Sequence, residues 1–308
     1  MRQGLAAPKG KWQGNPQGGV VAPDAIILPD PAARFLRTAE RLATLAVNHP
    51  MHDWLRLMER VARAQHAAVT ALDGVVPVGA EEVEQAVEAG MPPLAADGHR
   101  RQPVWRDGLR LLLDHAGGEE FPAQTRAVIH SLRGRDAASV EDLADGFLRG
   151  GVDSADAGAA LYAAAALQVY FTRIASQLPV TSLRLLPQRG LCPCCGSTPV
   201  AGLVTASGQT PGARYLYCSL CSTAWNHVRA ACIGCGKSRN VAMREVEGGN
   251  GAVKAETCDA CHGYAKMFYQ AKDMTVEPFA DDLASLGLDL MVSGAGWSQL
   301  APNPFVLA

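Results

Sequence analysis

The chain has 308 residues, a formal net charge of −2 and a sequence pI of about 6.4. That length allows two or three domains, and 48% hydrophobic residues can bury sizeable cores. The near-neutral balance gives the whole chain no electrostatic reason to bind nucleic acid or an anionic membrane.

Residues 1–29 are rich in Gly and Pro, carry neither an apolar signal core nor a twin arginine, and read as a flexible segment up to the apolar AIIL at 25–28. Asp30-Pro31 then marks a helix start, because Asp can cap and Pro at the first helical position wastes no N–H. Phe35, Leu36, Ala39, Leu42, Ala43 and Ala46 follow at helical spacing, and Pro50 ends the run. A second helix is predicted over 52–72, stopped by Asp73-Gly74, and further ones near 80–89, 104–115, 122–133, 139–148 and 154–178. Ser139 with Asp142 resembles a capping box at the start of the 139–148 helix. No alternating strand pattern precedes about residue 180, so 30–184 is read as one all-α domain. The Ala-rich run at 157–171, flanked by Asp156 and Arg173, falls short of the ~18–20 residues of a membrane span and reads as a buried helix of a cytoplasmic protein.

After Pro179 long helical periods vanish, and all nine cysteines follow between 192 and 261. With Cys194 set aside, the other eight form four C-x-x-C pairs: Cys192/Cys195, Cys218/Cys221, Cys232/Cys235 and Cys258/Cys261. The last four repeat the first four at a spacing of 40 residues, as a duplicated module would. Each unit supplies four thiolates, the donor set that suits Zn²⁺ or a single iron in a tetrahedral site. Gly196 and Gly236 follow the first pair of each unit and close the knuckle turn with positive φ; Ser222 stands after the second pair, and Gly263 comes one residue late after the fourth. Segments such as ARYLYC at 213–218 are expected to form short hairpin strands. The modules span 185–229 and 230–272, and 273–308 holds one more helix, over 278–293, and a tail.

Other uses of the cysteines fit less well. A reducing compartment disfavours disulfides. An iron–sulfur cluster is permitted by four cysteines, but paired knuckles 22 residues apart favour a mononuclear site. Thioredoxin-like chemistry lacks its βαβ context. His227 and His262 lie near the cysteines, yet four thiols already complete each sphere. Cys194 maps onto Gly234, inside a turn, and is read as incidental. Trp225, Asn226 and His227 mark either a partner-facing surface or, for Trp225, packing between the modules.

Four-coordinate protein sites leave no open position for a substrate, which argues against Lewis-acid catalysis. Neither a Walker-type phosphate loop nor a G-x-G-x-x-G turn is present. Adjacent acids at Glu81-Glu82 and Asp281-Asp282 read as solvated or capping. Over 188–271 the eight basic residues exceed the four acids, but two divalent tetrathiolate sites at −2 each bring the region to about zero, so nucleic acid is not the expected partner.

The stretches CPCCGSTPVAG (192–202), RYLYCSLCSTAWNHVRAACIGCG (214–236), AETCDACHGYAKMFYQ (255–270), PFADDLASLGLDL (278–290) and the terminal NPF (303–305) resemble the formate dehydrogenase accessory proteins of the FdhE family, with a weaker likeness at HPMHDWLRLMERVARAQ (49–65). The resemblance implies a multi-domain fold: an all-α N-terminal domain followed by two tandem rubredoxin-like or zinc-ribbon-like metal-binding modules. It implies a non-enzymatic, cytoplasmic maturation factor that binds the catalytic subunit of formate dehydrogenase, with iron on the eight paired cysteines and zinc as the other metal considered. A homodimer is the other association considered. The alternative function is a rubredoxin-like electron carrier serving the same enzyme. Cys194 departs from the family pattern, which implies a non-cysteine there.

Overall fold

A computed structural model of the chain describes residues 22–118, 121–208 and 210–306. The expectation of a flexible N-terminal segment therefore falls largely, over residues 1–21, outside the described residues.

Among the described residues seven helices come first: α1 (Pro31–Leu45), α2 (His52–Ala71), α3 (Ala80–Glu88), α4 (Trp105–Ala116), α5 (Ala123–Arg133), α6 (Ala137–Leu148) and α7 (Ala157–Ala175). Local chemistry sets their starts. The Asp30 side chain accepts the Ala32 N–H, with Pro31 behind it, and α1 stops before Pro50. The cap of α6 is Asp136, which accepts the Ser139 N–H at 2.8 Å, so the helix begins two residues before the expected Ser139. Helix α7 follows a short 3-10 turn at Ser154–Asp156 and is buried along nearly its whole length. Its alanines let α2 and α4 pack closely on it. Within that core Gln65 donates to Gln168 (2.8 Å), and Gln168 in turn donates to the Ser219 carbonyl (2.7 Å), so the buried amides carry the helical layer to the cysteine modules.

The rest of the chain forms strands β2 (Pro199–Val204), β3 (Arg214–Cys218), β4 (Ala224–Asn226), β5 (Val241–Arg244), β6 (Val253–Cys258), β7 (Gly263–Tyr269) and β8 (Ser298–Gln299). A two-residue strand, β1 (Ile26–Ile27), also lies well before residue 180, where no strand was expected. It pairs antiparallel with β4, Ile26 opposite Trp225, and its shortness hides it from any alternation test. Each module is an antiparallel three-strand meander, and β2-β3-β4 recurs as β5-β6-β7 about 40 residues on. The two meanders fuse into one sheet, ordered β1-β4-β3-β2-β7-β6-β5, through a parallel pairing of β2 with β7; β8 adds beside β7.

Close backbone approach joins the modules at Gly190, where an added Cβ would sit 2.0 Å from the Ile233 carbonyl oxygen. Backbone cannot swing aside as a flexible side chain can. Gly190→Ala is therefore expected to cost about 1–3 kcal/mol, seen as a lower urea midpoint. Gly287→Ala, in helical backbone with nothing within 4 Å, is the control without a clash, expected to leave the midpoint unchanged or slightly raised.

At the C-terminus one helix was expected over 278–293, but there are two, α8 (Pro278–Ala284) and α9 (Leu286–Gly294). The Ser285 hydroxyl donates to the Asp281 and Asp282 carbonyls, and its backbone leaves helical geometry at φ −112°. Nor are Asp281 and Asp282 solvated. Both are buried: Asp281 takes the Arg41 guanidinium (2.7 Å), tying α8 to α1, and Asp282 takes Lys266 (2.8 Å). Two adjacent helical acids can both be buried because α8 sits between α1 and the sheet.

Candidate metal centres

Four chain reversals place the eight paired cysteines. In the first knuckle Gly196 N–H donates to the Cys192 carbonyl (2.9 Å) and Cys192 N–H to Ser197 (2.9 Å). The third repeats this from Gly236 to Cys232 (3.0 Å) and from Cys232 to Lys237 (2.9 Å). Each knuckle is closed by the residue directly after its second cysteine, at φ +77° for Gly196, +62° for Ser222, +72° for Gly236 and +53° for His262. The fourth turn is thus closed by His262 rather than by Gly263. Gly263 instead begins β7, where a Cβ would lie 2.6 Å from Leu300. The 40-residue repeat holds at this position as well, with Ser222 matching His262.

These turns gather Cys192, Cys195, Cys218 and Cys221 into one group and Cys232, Cys235, Cys258 and Cys261 into another, with all four sulfurs of each within 4.8 Å of one another. The shortest sulfur pairs are Cys195–Cys218 at 3.3 Å and Cys192–Cys221 at 3.5 Å in the first group, and Cys232–Cys261 and Cys235–Cys258 at 3.7 Å in the second. Metal–sulfur bonds of about 2.3 Å put tetrahedral sulfurs about 3.8 Å apart, so both groups have the size and donor set to hold an ion. Each group is drawn from a single module, as the tandem repeat implies.

Backbone N–H groups point at the sulfurs: Leu220 (3.4 Å) and Cys221 (3.3 Å) at Cys218, and Gly234 (3.4 Å) at Cys232. Such donors stabilise thiolate charge. Burial pushes the Cys192 and Cys218 thiols well above their ordinary value. Cys221 is also desolvated, but hydrogen bonds from the neighbouring thiols outweigh that and pull it well below. In the second group burial pushes Cys232 up to about 12, while a backbone hydrogen bond from Lys237 brings the exposed Cys235 down to about 7.

The two groups differ in setting. Cys192, Cys195, Cys218 and Cys221 are each at most 1% exposed and belong to the same hydrophobic core as the helices. The loop between α3 and α4 seals them: Leu94 N–H donates to the Cys194 carbonyl (2.8 Å) and Ala96 N–H to that of Cys195 (2.9 Å). In the second group Cys235 and Cys261 are exposed. Metal loaded into both groups should leave the second first when a chelator is added. Equal release rates would contradict this asymmetry.

Cys194 lies outside the first set of four, although its side chain is fully buried beside Cys192, Cys221 and Thr223. The matching Gly234 has no such room, since a Cβ there would meet Leu300 at 3.0 Å. Cys194→Gly is expected to leave the metal content of the first group unchanged; loss of that metal, read by elemental analysis, would make Cys194 a ligand.

Of the partner-facing trio, Trp225 is fully buried, and its indole N–H donates to the Arg189 carbonyl (2.9 Å), so it offers no free surface. Asn226 donates to the Arg214 carbonyl. His227 is buried against Arg214 (3.1 Å), and burial together with that guanidinium pushes it down to about 4. Arg214 also pairs with the buried Glu256 of the second module (2.5 Å), so the His227 site locks one module to the other. With Lys266 buried as well, two of the eight basic residues counted over 188–271 are spent inside the protein. Among the described residues no helix is long and apolar enough to cross a membrane.

A helical layer continuous with two tandem rubredoxin-like or zinc-ribbon-like modules, each with a four-cysteine cluster, defines a class of protein built around paired metal-binding sites. Family models described as FdhE N-terminal, FdhE central domain and FdhE C-terminal domain match residues 23–187, 191–229 and 230–306. The Protein FdhE homolog of Edwardsiella ictaluri is 37% identical over 290 residues, covering 94% of this chain and 92% of the relative. The homolog of Pseudomonas putida is 35% identical over 295 residues, with the same coverage. The crystal structure of the FdhE protein from Pseudomonas aeruginosa superposes with a TM-score of 0.83 at 34% identity, covering 92% of this chain and 98% of that one. The chain belongs to the FdhE family.

Proposed function

We propose that this protein is a maturation factor for formate dehydrogenase, acting in the cytoplasm, that binds the enzyme's catalytic subunit and performs no catalysis of its own. In this reading Cys192, Cys195, Cys218 and Cys221 ligate one metal, and Cys232, Cys235, Cys258 and Cys261 ligate a second, with iron as the metal and zinc as its substitute. The observation that carries the reading is family membership across nearly the whole chain together with both complete four-cysteine sets. Closed tetrathiolate sites supply structure and, with iron, one-electron chemistry, but no open position for a substrate.

The test is co-purification of the tagged full chain with the catalytic subunit, alongside formate dehydrogenase activity in cells that lack the chain. The reading expects a complex and an activity restored by the wild-type chain. Full activity without the chain and no complex would refute it.

A rubredoxin-like electron carrier is the second reading, favoured by the exposure of Cys235 and Cys261. Zinc substitution separates the two: a carrier loses its function with zinc while binding persists, and a structural maturation factor keeps both.

A further inference from the structure

A tetrathiolate group around a divalent ion carries a charge of about −2, and the first cysteine cluster would carry it inside the main core, where an uncompensated charge is costly. Ser222, next to Cys221 and at φ +62°, is held by two hydroxyl contacts from the helical layer. Arg34 of α1 donates from Nε to the Ser222 hydroxyl oxygen (3.0 Å), and the Thr172 hydroxyl of α7 lies 3.0 Å from the same atom. The Arg34 guanidinium also donates to Thr38 (2.5 Å) and lies 3.3 Å from the centroid of the Phe279 ring, so it is fixed in place. Among the described residues no carboxylate oxygen lies within 4.0 Å of it. The groups whose negative charge favours the cation are Glu277, whose carboxylate caps α8 by accepting the Phe279 and Ala280 N–H groups, and Cys218 once it is a metal-bound thiolate. Burial pushes Arg34 down to about 10, so it stays cationic at neutral pH. The matching residue of the second module, His262, is exposed to solvent, which can itself screen that site.

We propose that Arg34 is a positioning residue for the first metal centre: it holds the Cys218–Cys221 knuckle through Ser222 and supplies the positive charge that offsets the buried tetrathiolate. The proposal rests on the first four-cysteine group holding a metal. It also gives a role to the serine at this knuckle, where the matching turn of the second module carries His262. A side-chain acceptor is needed there, and the contacts to Arg34 and Thr172 offset the cost of a left-handed residue.

The experiment uses the full chain loaded with iron. Metal content of the parent protein is measured first; a ratio that leaves the first group empty overturns the metal reading itself, before any variant is made. Release to a chelator and the midpoint potentials are then followed, with the exposed second site as internal control. Arg34→Gln is expected to speed release from the first site about tenfold or more, the lower range for removing a group that orients a metal ligand. It is also expected to lower that site's potential, because the more negative ferrous state loses its nearby cation. Arg34→Lys retains the charge and should keep the potential near that of the parent. Ser222→Gly keeps the turn and the charge but loses the acceptor, so it should speed release with little change in potential. First-site release and potential unchanged in Arg34→Gln would overturn the proposal. Should that variant fail to fold, unchanged release in Ser222→Gly would overturn it instead.

Discussion

Replacing Cys218 by serine is expected to unfold the first module and to loosen the helical layer with it, whereas Cys235→Ser should disturb the second module alone. Cys218 is fully buried and 3.3 Å from Cys195, and its sulfur accepts the Leu220 and Cys221 N–H groups. The same knuckle presents the Ser219 carbonyl to Gln168 of α7 and the Ser222 hydroxyl to Arg34 of α1. Structural tetrathiolate sites contribute on the order of 10–16 kcal/mol to the folding of small metal modules, and an incomplete sphere forfeits much of that. Here the loss reaches further, because the module's interior is continuous with that of the helices. Amide hydrogen exchange along α7 reads the effect, with a fall in protection of about 3 kcal/mol or more expected for Cys218→Ser, since it opens a buried network. For Cys235→Ser, at an exposed cysteine, α7 should exchange as in the parent. Unchanged protection of α7 in Cys218→Ser would mean that the first site is not part of the core.

Lys266→Met should be the second large effect. The Lys266 ammonium is fully buried on β7. It pairs with Asp282 (2.8 Å) and Asp289 (2.5 Å) and donates to the Asp282 carbonyl (2.7 Å). Asn303 donates to the other Asp282 oxygen (2.6 Å), and Tyr264 donates to Asp289 (3.0 Å), so one cation anchors α8, α9 and the tail to the sheet. Removing it strands two carboxylates and should cost about 3–5 kcal/mol, read as a lower urea midpoint at neutral pH. The pH dependence follows from Asp282. Burial raises its carboxyl above the usual range, although Lys266 pulls the other way. A carboxyl with a raised folded-state value takes up its proton first in the folded state, so its contribution favours folding as pH falls and is lost as pH rises through that value. Without Lys266 the value climbs further. The deficit of Lys266→Met should therefore be largest at neutral pH and shrink toward acid, and the added change Asp282→Asn should recover part of it. A midpoint unchanged at neutral pH would show that this cluster carries no stability.

The helices were legible because their signals are local. Asp30-Pro31, the apolar spacing of 52–72 and the alanine run at 157–171 all act within a few residues of themselves. The cysteine groups were legible for a similar reason: a 40-residue repeat of C-x-x-C pairs survives whatever packs around it. The misses are matters of tertiary context. Ile26–Ile27 becomes a strand only because β4 offers an edge. Asp281 and Asp282 lose solvent only because Arg41 and Lys266 arrive from distant elements, and the break at Ser285 comes from a side chain competing with the helix backbone. Gly263 looked like a displaced turn glycine, although its need is for space beneath Leu300, and the left-handed residue is His262. Nothing in the repeat distinguishes a buried four-cysteine group from an exposed one. That difference is made by the loop at 92–96 and by α1 and α7, far away in sequence.

Two separate metal centres, one sealed in the core and one at the surface, are the central claim. The most direct measurement is the metal-to-chain ratio of anaerobically purified protein, for the parent and for the paired variant Cys235→Ser, Cys261→Ser. The expected ratio is about two in the parent, falling to about one in the variant, the remaining metal being the slowly released one. A parent ratio near zero, or the same ratio in parent and variant, would contradict it.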